Sequence, residues 1–162
     1  MSDPMFDETA AHRHFAMSCF NRAWDYLDLA QRDEGEVEEM LHAAHASFWH
    51  WLHVPEQTTT NLSIGLWQLA RVYAVAGRAD DARRWARRCL EQGEAHGLEP
   101  FYRAYAHEAA ARAERVAGNG AAATPHLAAA RALLPKIDDV EDRDRLARDL
   151  ETLWADSEEV NE

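Results

Sequence analysis

The sequence predicts an all-α fold of about seven helices and no strands. Alanine, the strongest helix former, is the commonest residue, whereas the 162 residues include only 7 glycines and 5 prolines. Hydrophobic residues make up 47% of the chain, yet the mean hydropathy is −0.53. That combination is typical of amphipathic helices and argues against a membrane-embedded or a disordered chain.

The first two predicted helices follow from apolar spacing and from their end signals. Phe15, Cys19, Trp24 and Leu27 recur at three- to five-residue steps and predict one buried stripe on the first helix. Asp33 and Glu36 then have the spacing of a capping box, which predicts the start of the second helix. Pro55 ends that helix, and the polar residues 58–61 offer caps for the third.

The middle of the chain has the spacing of a known helical repeat. The residues that carry the pattern are Leu66, Leu69, Ala70, Tyr73, Gly77, Ala82 and Ala86. This segment resembles a tetratricopeptide repeat (TPR), a pair of antiparallel helices joined by a turn glycine. The resemblance implies an antiparallel helix-pair stack, a short right-handed TPR-like solenoid, in which small residues let the two helices of a pair approach closely.

Two further segments resemble degenerate copies of the same repeat. Glycines that would form the turns occur at Gly35, Gly77 and Gly118, 42 and 41 residues apart, against about 34 in the family. The copy around Gly118 departs from the pattern at Glu114, where an aromatic residue is usual.

We therefore predict a single TPR-like domain over residues 1–156. Its repeats would span about 21–53, 62–97 and 104–135, and a capping helix would span 138–155, beginning at a capping box of Asp138 and Glu141. Residues 157–162 would be a frayed acidic tail.

The resemblance also implies a concave groove lined by the first helix of each pair. Carried over residue by residue, the positions facing this groove are Arg22, Asp25, Trp67, Arg71, Tyr105, Glu108, Arg112 and Arg115. An aromatic floor with several guanidinium groups suits a carboxylate or a phosphate, because arginine binds planar anions bidentately. The structural alternative is that Trp67 belongs to the core and that Glu108 and Arg112 form an ordinary i,i+4 pair.

The charge distribution is compatible with such a ligand. The formal net charge is −12, but residues 138–162 carry −8 and residues 33–39 carry −5, whereas residues 40–137 carry +3. The overall charge disfavours long nucleic acids and anionic membranes. It leaves room for a small anion or an acidic peptide in the groove.

These observations favour a non-enzymatic binding module for an acidic peptide, a protein partner or a small anionic ligand. His45 is a further candidate ligand contact. The alternative is a small enzyme or metal-binding protein that uses His42, His45 and Glu108, with His45 as general base. No HExxH or CxxC pattern is present, and we expect no cofactor.

A third reading is a structural homodimer. Trp49 and Trp51 are two residues apart and cannot both point inward from one helix, so at least one should lie near a surface or an interface. Cys19 and Cys89 are expected to be buried thiols in a reducing compartment, and the acidic N-terminus lacks the order of a signal peptide. We therefore expect a soluble, cytoplasmic protein of bacterial type.

Overall fold

The protein consists of seven α-helices in a computed structural model that describes residues 6–155, with side chains described as far as Leu153. The helices are α1 (Glu8–Leu27), α2 (Glu34–Trp51), α3 (Thr59–Val75), α4 (Ala79–Ala95), α5 (Pro100–Val116), α6 (Gly120–Leu133) and α7 (Val140–Ala155), with a 3-10 turn at Leu134–Lys136. No strand occurs within residues 6–155, so the all-α prediction is confirmed. The predicted acidic tail at 157–162 lies outside the described residues.

Polar side chains start most of the helices. Asp33 and Glu36 form the predicted capping box at the start of α2, and Thr58 and Asn61 form a second one at the start of α3. The prediction for α7 is wrong by one residue. The cap is made by Asp139, whose Oδ1 accepts from the backbone N–H of Asp142 at 2.9 Å, because Asp139 is the residue that directly precedes the helix.

Two of the three predicted turn glycines end a helix. Gly77 and Gly118 both have φ +72°, a left-handed conformation that favours glycine, and each directly follows the C-cap residue of its helix, Ala76 or Ala117. In each turn the next backbone N–H returns to the helix, from Arg78 to Tyr73 and from Asn119 to Glu114, at 2.9 Å. The prediction for Gly35 is wrong, because Gly35 lies in the first turn of α2 and the connecting turn precedes it.

Consecutive helices pack against each other, and the odd-numbered helices also contact one another. α3 packs against α1 and α5 as well as its neighbours in sequence, and α5 also packs against α7. Among the even-numbered helices, α2 meets α4 through the rings of Phe48 and Trp85, and within residues 6–155 no comparable packing joins α4 to α6. The odd-numbered helices therefore share one side of the molecule.

Two buried side chains donate hydrogen bonds to backbone carbonyl groups of α1. Ser47 of α2 donates through Oγ to the carbonyl of Ala16 at 2.7 Å. Gln68 of α3 donates through Nε2 to the carbonyl of Phe20 at 3.0 Å. Both donors are buried, so these bonds fix the position of the α1 segment that carries Phe20.

A salt bridge holds Glu114, the residue at which the third predicted repeat departs from the TPR pattern. Glu114 of α5 accepts two hydrogen bonds from Arg83 of α4, from Nε at 3.0 Å and from Nη2 at 2.7 Å. A bidentate pair therefore joins α4 to α5 where the family pattern has an aromatic ring.

None of the helices within residues 6–155 is long and apolar enough to cross a membrane.

Candidate functional site

A cavity of about 490 Å³ opens between α1, α3, α5 and α7. Its lining combines six aromatic rings with Ile64, Ser63 and three charged residues of α7, and we call it the aromatic cavity. The lining residues are Phe20, Trp24, Ser63, Ile64, Trp67, Phe101, Tyr102, Tyr105, Asp142, Arg145 and Asp149. All four odd-numbered helices contribute to it.

Trp67 stands at the centre of the aromatic wall. Its ring centroid lies 5.7 Å from that of Trp24 and 5.5 Å from that of Tyr105, which it meets edge-on. Tyr105 in turn meets Phe101 at 5.0 Å. Trp67 is half-buried and packs against both main core clusters of the protein, so it serves the core and the cavity together. The rings hold one another in place, which makes a preformed wall.

The charged residues of the lining all come from α7. Arg145 Nη1 lies 3.6 Å from Asp142 Oδ1, and Tyr105 donates its hydroxyl hydrogen to Asp149 Oδ2 at 2.7 Å. Burial, reinforced by this bond to a carboxylate, raises the pKa of Tyr105. The Tyr105 hydroxyl therefore stays protonated at neutral pH and ties α5 to α7.

A second polar group adjoins the aromatic wall and does not line the cavity. Glu108 has no solvent exposure. Its Oε2 accepts from Trp67 Nε1 at 3.1 Å, and its Oε1 accepts from Arg71 Nη1 at 3.2 Å and from Arg112 Nε at 2.8 Å. We call these four residues the Glu108 cluster. Burial lowers the pKa of Arg71, and the charge of Glu108 opposes that shift.

The structure separates the predicted groove residues into three groups. Trp67 and Tyr105 line the aromatic cavity. Arg71, Glu108 and Arg112 are joined to one another in the Glu108 cluster. The remaining positions lie outside the lining, and these are Arg22 and Asp25, both exposed on α1, and Arg115, which is half-buried on α5.

His45 lies elsewhere, among aromatic residues of α3 and α4. Its Nε2 is 2.8 Å from the Tyr73 hydroxyl, and its ring meets Trp85 edge-on. Burial lowers the pKa of His45, and the nearby His42 adds to that shift. The hydrogen-bond partners of Glu108 are Trp67, Arg71 and Arg112. Glu108 therefore does not bind His45, as the enzyme alternative would require. Within the described part of the chain, no three or more His, Cys, Asp or Glu residues are arranged to hold a metal ion.

Sequence reasoning missed more than half of the lining. Phe20, Phe101 and Tyr102 were not recognised, although Phe101 and Tyr105 have the i,i+4 spacing that puts two rings on one helical face. The sequence predicts α7 only as a capping helix, so Asp142, Arg145 and Asp149 fall outside the predicted site. The expectation for the tryptophan pair is confirmed: Trp49 is 52% exposed, and Trp51 lines a smaller cavity of about 210 Å³ that shares Phe20 and Ile64 with the larger one.

Comparison of the chain with known proteins found no match. No protein-family model matches the sequence, and neither a curated protein nor a solved structure shows detectable similarity to it.

Proposed function

We propose that this protein is a non-enzymatic binding module whose aromatic cavity receives a small molecule or a side chain of a peptide. The observation that carries the proposal is the convergence of six aromatic rings from three helices on one cavity of about 490 Å³. Ligand sites are typically concave, mostly apolar and of this size, with a few polar groups that orient the ligand. Asp142, Arg145 and Asp149 would be those groups.

We further propose that the helices form a short TPR-like stack. The contacts among odd-numbered helices support it, because in such a stack the first helices of successive pairs line one surface. Gly77 and Gly118 support it too, since they end α3 and α5 in the same conformation 41 residues apart. The aromatic cavity would then lie in the concave face.

The geometry changes which residues would hold an anion. Arg71 and Arg112 were the expected anchors of an acidic peptide or small anionic ligand, and both are engaged by the buried Glu108. Arg145 is the guanidinium group that lines the cavity. The proposed site therefore depends on ring contacts first and on charge second.

To test the proposal, saturation-transfer NMR would detect the binding of a fragment set that contains cationic, neutral and anionic members. Trp24 is part of the cavity wall, so Trp24→Leu should abolish binding of the fragments that occupy the cavity. Trp49→Leu is the matched control, because Trp49 is exposed and outside the lining. If no fragment distinguishes the Trp24→Leu variant from the unmodified protein, the proposed function is wrong.

A homodimer is a second candidate, and a specific observation favours it. Phe15, Trp49 and Leu52 are 48%, 52% and 50% exposed on the α1–α2 pair, and exposed large apolar side chains are typical of interaction surfaces when they form a patch. Light scattering should then give twice the monomer mass, and Trp49→Glu should restore the monomer. A monomer at high protein concentration would remove this candidate.

A further inference from the structure

We infer that the ligand of the aromatic cavity carries an organic cation, an alkylated ammonium or guanidinium group. This inference rests on the proposed function and names the ligand class for the same site. Three features of the lining support it: the direction of its hydrogen bonds, the character of its rings and the charge of its rim.

The hydrogen-bond donors of the two central rings are already in use. Trp67 donates its indole N–H to Glu108, and Tyr105 donates its hydroxyl hydrogen to Asp149. A carboxylate or phosphate in the cavity would have to find donors, and these two strong ones are committed to protein carboxylates. The donors that the lining has left to offer an anion are Arg145, the indole N–H of Trp24 and the hydroxyl groups of Tyr102 and Ser63.

The rings are well suited to a positive charge. The face of an aromatic ring carries partial negative charge, and tryptophan gives the strongest attraction for a cation within about 6 Å of its centroid. Trp67 and Tyr105 each donate to a carboxylate, and such a bond polarises the ring toward greater electron density. Trp24 and Trp67 lie 5.7 Å apart, so a single alkylated cation in the cavity would contact more than one ring.

The rim adds carboxylates in excess. Asp142 and Asp149 face one guanidinium, Arg145, which gives the charged lining residues a balance of −1. Asp149 also interacts electrostatically with Arg71, but Arg71 lies outside the lining and is paired with Glu108. One oxygen of Asp149 accepts from Tyr105, and its other oxygen has no hydrogen bond within the described residues.

An apolar wall selects among cations. A lysine ammonium is compact and strongly hydrated, so its desolvation in such a cavity is costly. Methyl or larger alkyl groups on the nitrogen weaken hydration and add apolar contact area. The shared chemistry could come from a free small cation or from a methylated lysine side chain of a peptide.

The decisive experiment uses three probes of nearly equal shape and different charge. These are choline, its neutral isostere 3,3-dimethylbutan-1-ol and the anion 3,3-dimethylbutanoate, each titrated into the full chain by NMR. We expect choline to bind about tenfold more tightly than the alcohol, a ratio typical of cation–π contacts. The anion should bind most weakly.

Matched substitutions on α7 test the role of the rim. Asp149→Asn keeps an acceptor for Tyr105 and removes the charge, so choline affinity should fall about three- to tenfold while the affinity for the alcohol stays unchanged. Asp144→Asn is the control, because Asp144 is exposed on the same helix and outside the lining. Circular dichroism of each variant checks that the helices are intact.

The outcomes separate this inference from the proposed function. If the neutral or the anionic probe binds as tightly as choline, the cation inference is wrong and the cavity remains a binding site. If no probe of any charge binds, the cation inference is wrong, and the proposed function is wrong as well if no member of the fragment set binds in the cavity. A peptide with trimethyllysine, compared with the same peptide carrying norleucine, distinguishes the two sources: tighter binding than choline alone indicates a peptide side chain, and weaker binding indicates a free cation.

Discussion

The Glu108 cluster and the rim of the aromatic cavity, which consists of Asp142, Arg145 and Asp149, contain the same types of residue but differ in burial. Both combine carboxylates with arginines, and each binds one of two adjoining rings: Glu108 accepts from Trp67, and Asp149 accepts from Tyr105. In the cluster, Glu108 is fully buried and held by two guanidinium groups. In the rim, Arg145 is 59% exposed and lies 3.6 Å from its carboxylate partner.

The difference shows what decides whether an arginine is available to a ligand. A buried carboxylate must be paired, so Glu108 retains Arg71 and Arg112 for stability. An exposed carboxylate has water as an alternative partner, so the rim can exchange its contacts for a ligand. The following predictions test this contrast, beginning with the closed cluster.

The largest effect should come from Glu108→Ala. Removing the carboxylate leaves Arg71 and Arg112 close together and largely buried without a counter-charge. Breaking a buried pair by deleting one partner costs about 3–5 kcal/mol of unfolding free energy. Urea denaturation measures it, with Glu91→Ala as a control because Glu91 is exposed on α4. A loss below about 1 kcal/mol would mean that the cluster is not a structural unit.

Tyr105→Phe should have a smaller effect, because it removes one hydrogen bond at the cavity side of the same wall. Loss of the bond from Tyr105 to Asp149 should cost about 1 kcal/mol of unfolding free energy. Tyr102→Phe is the matched control, since Tyr102 also lines the cavity and its hydroxyl makes no hydrogen bond to the described residues. Equal losses in the two variants would show that the bond between α5 and α7 does not contribute.

The sequence predicted the helices better than the candidate site, and the residues of α2 and of the Glu108 cluster show why. Helix periodicity and caps are local, so α2 with Asp33 and Glu36 could be placed in advance. The TPR resemblance implied that Trp67, Arg71, Glu108 and Arg112 face one groove, and in the structure hydrogen bonds join these four residues. It could not show that Glu108 would face α3 and engage both arginines, because that depends on how two helices are oriented when they pack. The contribution of α7 to the cavity had no local signal.

Acid should loosen α1, and with it the cavity wall formed by Phe20 and Trp24. The Nδ1 atoms of His12 and His50 lie 2.8 Å apart and share a hydrogen bond that two protonated rings cannot make. Burial, then the charges of His12 and His53, lowers the pKa of His50 below 6.5. A lowered pKa means that the neutral form is favoured on folding, so this stability is present above pH 6.5 and is lost as pH falls through the lowered pKa.

Urea denaturation at pH 7.5 and pH 5.5 measures this dependence. The unmodified protein should lose unfolding free energy at the lower pH, and His50→Gln should lose less. His14→Gln serves as the control, because His14 is exposed on α1. The same loss in all three proteins would show that the contact between His12 and His50 does not couple protonation to the attachment of α1.

The smallest effect, and the sharpest test of the contrast, is expected from Arg145→Gln. Arg145 is the guanidinium group of the open rim, and its removal leaves Asp142 and Asp149 as the charged lining residues. Because the side chain is largely exposed, water and salt screen its repulsion of a bound cation, and choline affinity should rise only about two- to threefold. Arg148→Gln, on the same helix, exposed and outside the lining, should leave the affinity unchanged. If Arg145→Gln instead weakens binding of choline and abolishes binding of 3,3-dimethylbutanoate, the open arginine anchors an anion. The rim would then do what the sequence assigned to Arg71 and Arg112.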